Sequence, residues 1–130
     1  MVVDTSALLA VVLEEPDRPA LLRATRGAIL LAPASLPWEA GNALVAAVRR
    51  RRLTPAEAAI AWGAFASIPL RLMEVDIAAA VAAAIELGLY AYDAYPLVLA
   101  RERGLPLLTL DQRLGKAADA CRIPLVEYRS

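Results

Sequence analysis

The sequence of 130 residues contains no histidine and a single cysteine, Cys121. Without histidine, acid–base chemistry must use carboxylates, hydroxyls, metal-bound water or that one thiol. One cysteine cannot form an internal disulfide, which favours a reducing cytoplasm. Cys121 is interpreted as a small buried hydrophobic residue rather than a nucleophile. The chemistry of the chain is therefore expected to rest on its carboxylates.

Long hydrophobic runs, net charge and a glycine-rich phosphate loop are also missing. No segment reaches the roughly 20 apolar residues of a membrane-spanning helix. The apolar start lacks a basic leading segment and carries Asp4, so no secretory signal is expected. The 14 basic and 14 acidic residues cancel, which removes the overall positive field of many nucleic-acid binders. A cytoplasmic protein is predicted, without a membrane or nucleotide-binding motif.

Apolar residues make up 59% of the chain, whose length is that of one domain. Short apolar runs alternate with helical segments, and this predicts an α/β fold with a parallel sheet covered by helices on both faces. The predicted strands are Met1–Val3, Ala28–Ala32, Leu70–Val75 and Pro106–Leu110, with Ile123–Val126 as a final edge strand. The predicted helices are Thr5–Leu13, Arg18–Arg26, Pro37–Arg51, Pro55–Ser67, Ile77–Leu87, Asp93–Arg103 and Asp111–Ala120.

Acidic residues stand at four predicted helix starts: Asp4, Glu39, Asp93 and Asp111. In a parallel α/β sheet, ligands bind outside the carboxyl ends of the strands, so all four side chains are expected to face one crevice. Grouped carboxylates are the hard oxygen ligands that Mg²⁺ or Mn²⁺ prefers. Alternatively, each aspartate only caps its helix, since aspartate is a favoured N-cap and acids there gain from the helix dipole. Glu39 fits that alternative least well.

Four segments surround these acids: Val2–Val12 (VVDTSALLAVV), Trp38–Leu44 (WEAGNAL), Tyr92–Ala100 (YDAYPLVLA) and Leu107–Leu114 (LLTLDQRL). In order and spacing they resemble the four acidic motifs of PIN-domain nucleases, above all those of VapC-type toxins from toxin–antitoxin pairs. The resemblance covers nearly the whole chain and predicts one PIN domain over residues 1–130. It implies an α/β/α fold and an endoribonuclease that depends on Mg²⁺ or Mn²⁺.

The resemblance also assigns residues to roles. The family's acidic ligands correspond to Asp4, Glu39, Asp93 and Asp111, its hydroxyl before the last acid to Thr109, and its asparagine after the glutamate to Asn42. We assign the three aspartates to metal binding, while Glu39 either binds metal or positions the attacking water. Thr109 and Asn42 would orient the ligands. Thr5 and Ser6 either contact metal-bound water or phosphate, or cap the first helix.

Partners and products follow from the same resemblance. Such toxins usually form homodimers and are silenced by a small antitoxin whose tail covers the acidic cleft, so RNA, an antitoxin and a second copy are the expected partners. Cleavage by water would leave a 5′-phosphate and a 3′-hydroxyl. Pro96 departs from the family pattern, and is expected in the first turn of its helix, where proline is tolerated.

Other classes fit the residues less well. A phosphotransfer receiver domain would need a paired acid after the first strand and a lysine at a strand end, whereas Lys116 lies in a predicted helix. A haloacid-dehalogenase-type phosphatase would need a second aspartate where Ser6 stands. The remaining rival is a PIN-like module that binds RNA or protein without cutting it, and four intact acids argue against it.

Two further groups of residues have competing interpretations. The basic run Arg49–Arg52 is interpreted as a solvated helix end, with contact to RNA phosphates as the alternative. Five aromatic residues near helix ends are expected in the core or in interfaces, with stacking on RNA bases as the alternative. These aromatic residues are Trp38, Trp62, Tyr90, Tyr92 and Tyr95.

Overall fold

A computed structural model describes residues 1–129 and contains a four-stranded parallel sheet in the order β3-β2-β1-β4. The strands are β1 (Val2–Val3), β2 (Leu31–Pro33), β3 (Arg71–Met73) and β4 (Leu107–Leu108). The helices are α1 (Thr5–Val12), α2 (Arg18–Thr25), α3 (Leu36–Arg49), α4 (Pro55–Ala66), α5 (Ile77–Leu87), α6 (Ala91–Arg103) and α7 (Gln112–Ala120). The predicted α/β class is confirmed.

β1 is the central strand, and its two residues face opposite sides of the sheet. Val3 packs in one buried cluster with residues of α1, α2, α3 and α4, among them Leu8, Leu21 and Phe65. Val2 packs in a second cluster with residues of α6 and α7, such as Leu99. Helices therefore cover both faces of the sheet, and the carboxyl ends of its strands meet at one edge.

β2 begins at Leu31, three residues later than predicted. Gly27 adopts a left-handed conformation with φ of 71°, and the Ala28 N–H still bonds the Thr25 carbonyl, so the chain is turning where a strand was expected. Extended pairing starts only where the Leu31 N–H reaches the Met1 carbonyl. The strand is thus placed by its partner β1 rather than by its own apolar run.

The predicted edge strand Ile123–Val126 is reduced to one bridge between Leu107 and Leu125. The Leu107 N–H donates to the Pro124 carbonyl, and the Val126 N–H donates to the Leu107 carbonyl. Proline offers no N–H of its own, which limits the pairing that this segment can build. Cys121, just before it, is partly buried against the second cluster.

Helix α6 begins at Ala91, two residues earlier than predicted, with Tyr90 as its N-cap. Pro96 therefore lies inside the helix, in its second turn, and the expectation of a first-turn position was wrong. Gly88 ends α5 in a left-handed conformation, so the next helix starts after a very short connection. Because proline lacks an N–H, the Tyr92 carbonyl four residues earlier has no helical donor.

α5 and α6 pack against each other through small residues, including Ala80, Ala84, Ala94 and Val98. In the described part of the chain, no single helix is long and apolar enough to span a membrane. These two helices pass that test of length and apolarity only as a pair, and they meet at an angle of 114°.

Candidate active site

The four acids of the sequence analysis line one small pocket of about 70 Å³ at the carboxyl edge of the sheet. Asp4 directly follows β1, and Asp111 directly precedes α7. Glu39 and Asp93 lie in the first turns of α3 and α6. Residues far apart in the sequence meet here because parallel strands all end at this edge. We call this cavity the acidic pocket.

Asp4 is the most buried charged residue of the pocket, with 6% of its surface exposed. Its Oδ1 accepts hydrogen bonds from the Ser6 hydroxyl at 2.7 Å and from the Ala7 N–H at 3.0 Å. Its Oδ2 accepts a hydrogen bond from the Thr109 hydroxyl. Asp4 therefore caps α1 and also belongs to the pocket, so the two interpretations of this residue do not exclude each other.

Two hydroxyls tie the ends of β1 and β4 together around Asp4. Ser6 Oγ accepts the Leu110 N–H at 3.0 Å, and Thr109 Oγ1 accepts the Asp111 N–H at 3.0 Å. Asp111 in turn caps α7 by accepting the N–H groups of Arg113 and Leu114. The hydrogen-bond network holds Asp4 in a defined orientation and places Asp111 beside it.

Glu39 is positioned by Ser35, a residue that the sequence analysis missed. Ser35 Oγ donates to Glu39 Oε2 at 3.1 Å. Ser35 stands at the N-cap position of α3, yet its side chain makes no capping hydrogen bond there. A serine four residues before an acid at a helix start was the available signal, since such residues share one helix face.

Burial, with a smaller contribution from neighbouring negative charges, raises the pKa values of three acids in the pocket. Burial raises the pKa of Asp4, against the hydrogen bonds from Thr109, Ala7 and Ser6 that lower it. Burial, opposed by the Ser35 hydrogen bond and reinforced by the charges of Asp93 and Asp4, raises the pKa of Glu39 to about 7. The pocket thus groups carboxyl groups whose charged forms are disfavoured in the folded protein without a cation.

The pKa of Asp93 is also raised. Burial and the negative charge of Asp111 raise its pKa, and the Arg113 guanidinium lowers it. Arg113, which the sequence analysis did not single out, is anchored by a hydrogen bond to the Gly88 carbonyl. Tyr90 rather than Asp93 is the N-cap of α6. Capping therefore does not explain why an acid stands at this position.

The model of the PIN-domain family matches residues 1–120. The chain belongs to the PIN-domain family. PAE2754 from Pyrobaculum aerophilum has 28% sequence identity and a TM-score of 0.69, over 89% of this chain and 84% of that one. VapC20 of Mycobacterium tuberculosis, a toxin that cleaves the sarcin–ricin loop, has 18% identity and a TM-score of 0.65, over 89% and 93%. No protein of curated function matches the sequence.

PIN-domain nucleases generally use divalent metals such as Mg²⁺. The donor set of this PIN domain fits such an ion, because the polar lining of the pocket consists of carboxylates and hydroxyls. Among residues 1–129, no three acidic side chains lie close enough together to ligate one ion directly. Mg²⁺ keeps several waters and takes only one or two direct carboxylates. An ion held partly through water is compatible with this spacing.

Only some of the remaining predicted site residues lie at the acidic pocket. Thr5 and Ser6 line the acidic pocket, and Thr109 reaches it through Asp4. Asn42 is exposed on α3 and does not line the pocket. The basic run at residues 49–52 is exposed at the end of α3. The supporting role of Asn42 therefore stays a prediction that rests on the family resemblance alone.

The raised pKa of Glu39 predicts a pH-dependent stability. A carboxyl group that binds its proton more tightly in the folded protein stabilises the fold at low pH. This contribution is lost as the pH rises from the ordinary value of 4.5 to about 7. Without divalent cations, the melting temperature of the PIN domain should therefore fall over this range more steeply than that of Glu39→Gln. Thermal unfolding at a series of pH values measures the difference, with exposed Glu86→Gln as the control. Parallel curves for the unaltered protein and Glu39→Gln would refute the expectation.

Proposed function

We propose that this PIN domain is an endoribonuclease that hydrolyses RNA phosphodiester bonds with the help of Mg²⁺ or Mn²⁺. The observation that carries the proposal is the convergence of four carboxylates on one pocket, three of them with raised pKa values. Burying these carboxylates, and to a lesser degree bringing their charges together, costs the folded protein free energy that a bound cation would offset. Membership of a family whose nucleases use divalent metals points in the same direction.

In this proposal Asp4, Asp93 and Asp111 hold the cation, directly or through water. The bound ion would supply Lewis acidity to the scissile phosphate and offset the charge of the transition state. Thr109 and Ser6 keep Asp4 oriented through their hydrogen bonds. Asp111 keeps its orientation through the two N–H groups of α7 that it accepts.

Glu39 is the residue best suited to accept the proton of the attacking water. Its pKa of about 7 lies near neutral pH, where a general base is most effective. The Ser35 hydroxyl fixes one of its carboxylate oxygens and leaves the other free. The oxygen of water attacks phosphorus, the bond to the 3′ oxygen breaks, and that oxygen takes up a proton. The products are a 5′-phosphate and a 3′-hydroxyl.

The biological role we propose is that of a toxin in a toxin–antitoxin pair. Support comes from the family and from the likeness in fold to VapC20, which is itself a toxin. The proposed partners are an RNA substrate, an antitoxin protein that covers the acidic pocket, and a second copy of the chain. A soluble cytoplasmic location belongs to the same proposal, with Cys121 as the only cysteine and no helix within residues 1–129 able to span a membrane alone.

A PIN domain that binds without cutting is the second candidate. The specific observation in its favour is that no three acids of the described chain stand at direct ligand distance. In such a module the acids would serve as helix caps and hydrogen-bond acceptors, as Asp4 and Asp111 already do. The two candidates differ in whether the protein gains stability from divalent cations and whether it cleaves RNA.

The deciding experiment is end-mapped cleavage of total cellular RNA by purified protein in Mn²⁺ or EDTA, beside Asp93→Asn. We expect discrete fragments with 5′-phosphates, which disappear in EDTA and fall at least about a hundredfold in the variant, more than the loss of an outer partner costs. Asp93 is not a helix cap, so this variant should fold normally. Intact RNA with a folded, antitoxin-free preparation would favour the module that binds without cutting.

A further inference from the structure

A second cavity of about 470 Å³ adjoins the acidic pocket. It is lined mainly by Ser35, Trp38, Val75, Ile77, Tyr92 and Tyr95. Pro33 and Tyr92 line both cavities, so the two share a wall. We call this second cavity the aromatic groove. Its volume lies in the range of cavities that bind small organic groups.

Three of the five aromatic residues that the sequence analysis singled out line this groove, and two of them are largely exposed. Trp38 has 78% of its surface exposed, and Tyr92 has 56%. The Tyr92 ring packs edge-on against the Tyr95 ring, with 5.8 Å between the ring centroids, and this contact limits the movement of Tyr92. Of the two expected locations, core or interface, the exposure of Trp38 and Tyr92 excludes the core and leaves an interface as the prediction. Trp62 is also partly exposed, at 41%, but it stacks on Phe65 at 5.3 Å on α4 and does not line the groove.

One turn of α3 contributes residues to both the aromatic groove and the acidic pocket. Glu39 lines the acidic pocket, and its neighbour Trp38 lines the groove. Ser35 lines the groove and also donates to Glu39. A group bound on the Trp38 ring is therefore next to whatever occupies the acidic pocket.

We propose that the aromatic groove binds the base of an unpaired nucleotide whose phosphate lies at the acidic pocket, with the base stacked on Trp38 and Tyr92. The proposal rests on the proposed nuclease function and assigns a binding site to one unpaired base of the RNA substrate. Aromatic rings bind splayed-out bases by stacking, and a base within a duplex is not available for this. Stacking tolerates every base, so the groove selects unpaired structure more than sequence.

Charge favours a base over other ligands in this groove. Among residues 1–129, Glu74 is the only charged residue that lines the groove, and no basic side chain lines it. A phosphate or an acidic peptide would meet repulsion there, whereas the face of a base is uncharged. The phosphate is instead left to the acidic pocket, whose carboxylates would hold a cation that offsets the phosphate charge. In this arrangement the base of one nucleotide lies in the aromatic groove and its phosphate lies at the acidic pocket.

A second copy of the chain is the competing occupant. Ile77 lines the groove, and Val81 and Ile85 on the same side of α5 are also exposed. Val81 and Ile85 line neither the groove nor the acidic pocket, whereas Tyr92 lines both. The position of the rings therefore favours RNA, and the oligomeric state of a Trp38 variant separates the two occupants.

The test measures binding without cleavage. A labelled single-stranded RNA of about eight nucleotides, a length within the usual range of single-strand sites, is titrated with protein in Ca²⁺, a cation with oxygen ligands that would offset the charge of the acidic pocket, and gel analysis checks that the RNA stays intact. The same titration is made with RNAs in which one base at a time has been removed. The proteins are the unaltered chain, Trp38→Leu, Trp38→Phe and, as the matched control, Trp62→Leu on α4. Melting temperatures and sedimentation are recorded for each protein.

We expect Trp38→Leu to weaken binding about tenfold, as the loss of one stacked base does, while Trp62→Leu has no effect and Trp38→Phe recovers part of the loss. Removal of one particular base should weaken binding to the unaltered chain by a similar factor and cause no further loss with Trp38→Leu, because both changes remove the same contact. The effect of Trp38→Leu should be independent of the removal of any other base.

Three results would overturn the proposal. These are unchanged binding by folded Trp38→Leu, losses that simply add for every base removed, and no RNA binding by the unaltered chain. Conversion of a dimer to a monomer by Trp38→Leu would assign the groove to a second copy instead. Since the titration needs no cleavage, a protein that cuts RNA but shows no coupling rejects the groove alone. A protein that shows coupling but does not cut rejects the nuclease alone.

Discussion

Asp4→Asn is expected to lower RNA cleavage at least about a hundredfold, beyond the loss typical of an outer partner, while the melting temperature without divalent cations stays the same or rises. The carboxylate is almost fully buried, and burial raises its pKa, so its charged form costs the folded state free energy. Asparagine keeps an oxygen for the Ser6 hydroxyl and the Ala7 N–H, and its NH2 group can donate to the Thr109 hydroxyl, which donates to Asp4 in the unaltered chain. The substitution therefore removes the charge and preserves the helix cap.

Asp76→Asn is the matched control for this variant. Asp76 caps α5 by accepting the Ala79 N–H at 3.1 Å, as Asp4 caps α1, but it is exposed and does not line the acidic pocket. It should leave cleavage unchanged, because only the cap geometry is shared between the two positions. Cleavage and thermal unfolding are measured on both variants. If Asp4→Asn unfolds or retains full cleavage, Asp4 is a structural cap and not a member of the catalytic site.

The second large effect is stabilisation by divalent cations. An ion that binds only the folded state at a hundredfold excess over its Kd stabilises it by roughly 3 kcal/mol. In a domain of this size, that raises the melting temperature by about 10 °C. The gain should increase as the pH rises toward and above about 7, since the cation binds deprotonated carboxylates and Glu39 releases its proton there.

Asp93→Asn should abolish most of this gain. The residue is not a cap, so its replacement removes a carboxylate at little structural cost. Asp119→Asn, an exposed acid on α7, is the control that should keep the full gain. Thermal unfolding with Mg²⁺, Mn²⁺ or EDTA measures all three proteins. An unaltered chain that melts at the same temperature in every condition would contradict metal binding and favour the module that binds without cutting.

The class of fold and most element positions followed from local features of the sequence. Helix α4 begins at the Thr54–Glu57 capping box that the sequence predicts, and α5 ends at Gly88 as expected. Both signals act over three or four residues, which is why they can be read without a tertiary structure. The four acids were also recognisable, because they stand at the ends of strands and the starts of helices.

Contacts between distant segments could not be predicted in this way. β2 lies later than its apolar run because it is placed by pairing with β1. The Ser35–Glu39 hydrogen bond depends on the side-chain directions at one helix start, and the Ser6–Asp4–Thr109 network joins residues more than a hundred positions apart. Such contacts form only when the strands pair into the sheet, and no local sequence pattern encodes them.

The sequence by itself determined the composition of the site: carboxylates and hydroxyls without histidine, at positions where a parallel α/β fold turns toward its ligand edge. Only the tertiary structure decided how these groups act on one another, since burial and like charges raise the pKa values of Asp4, Glu39 and Asp93 only after the chain has folded. It also decided that Trp38 and Tyr92 face a groove beside the acids rather than the core. Exposure is a property of the whole packed molecule, and a residue's own sequence neighbours do not set it.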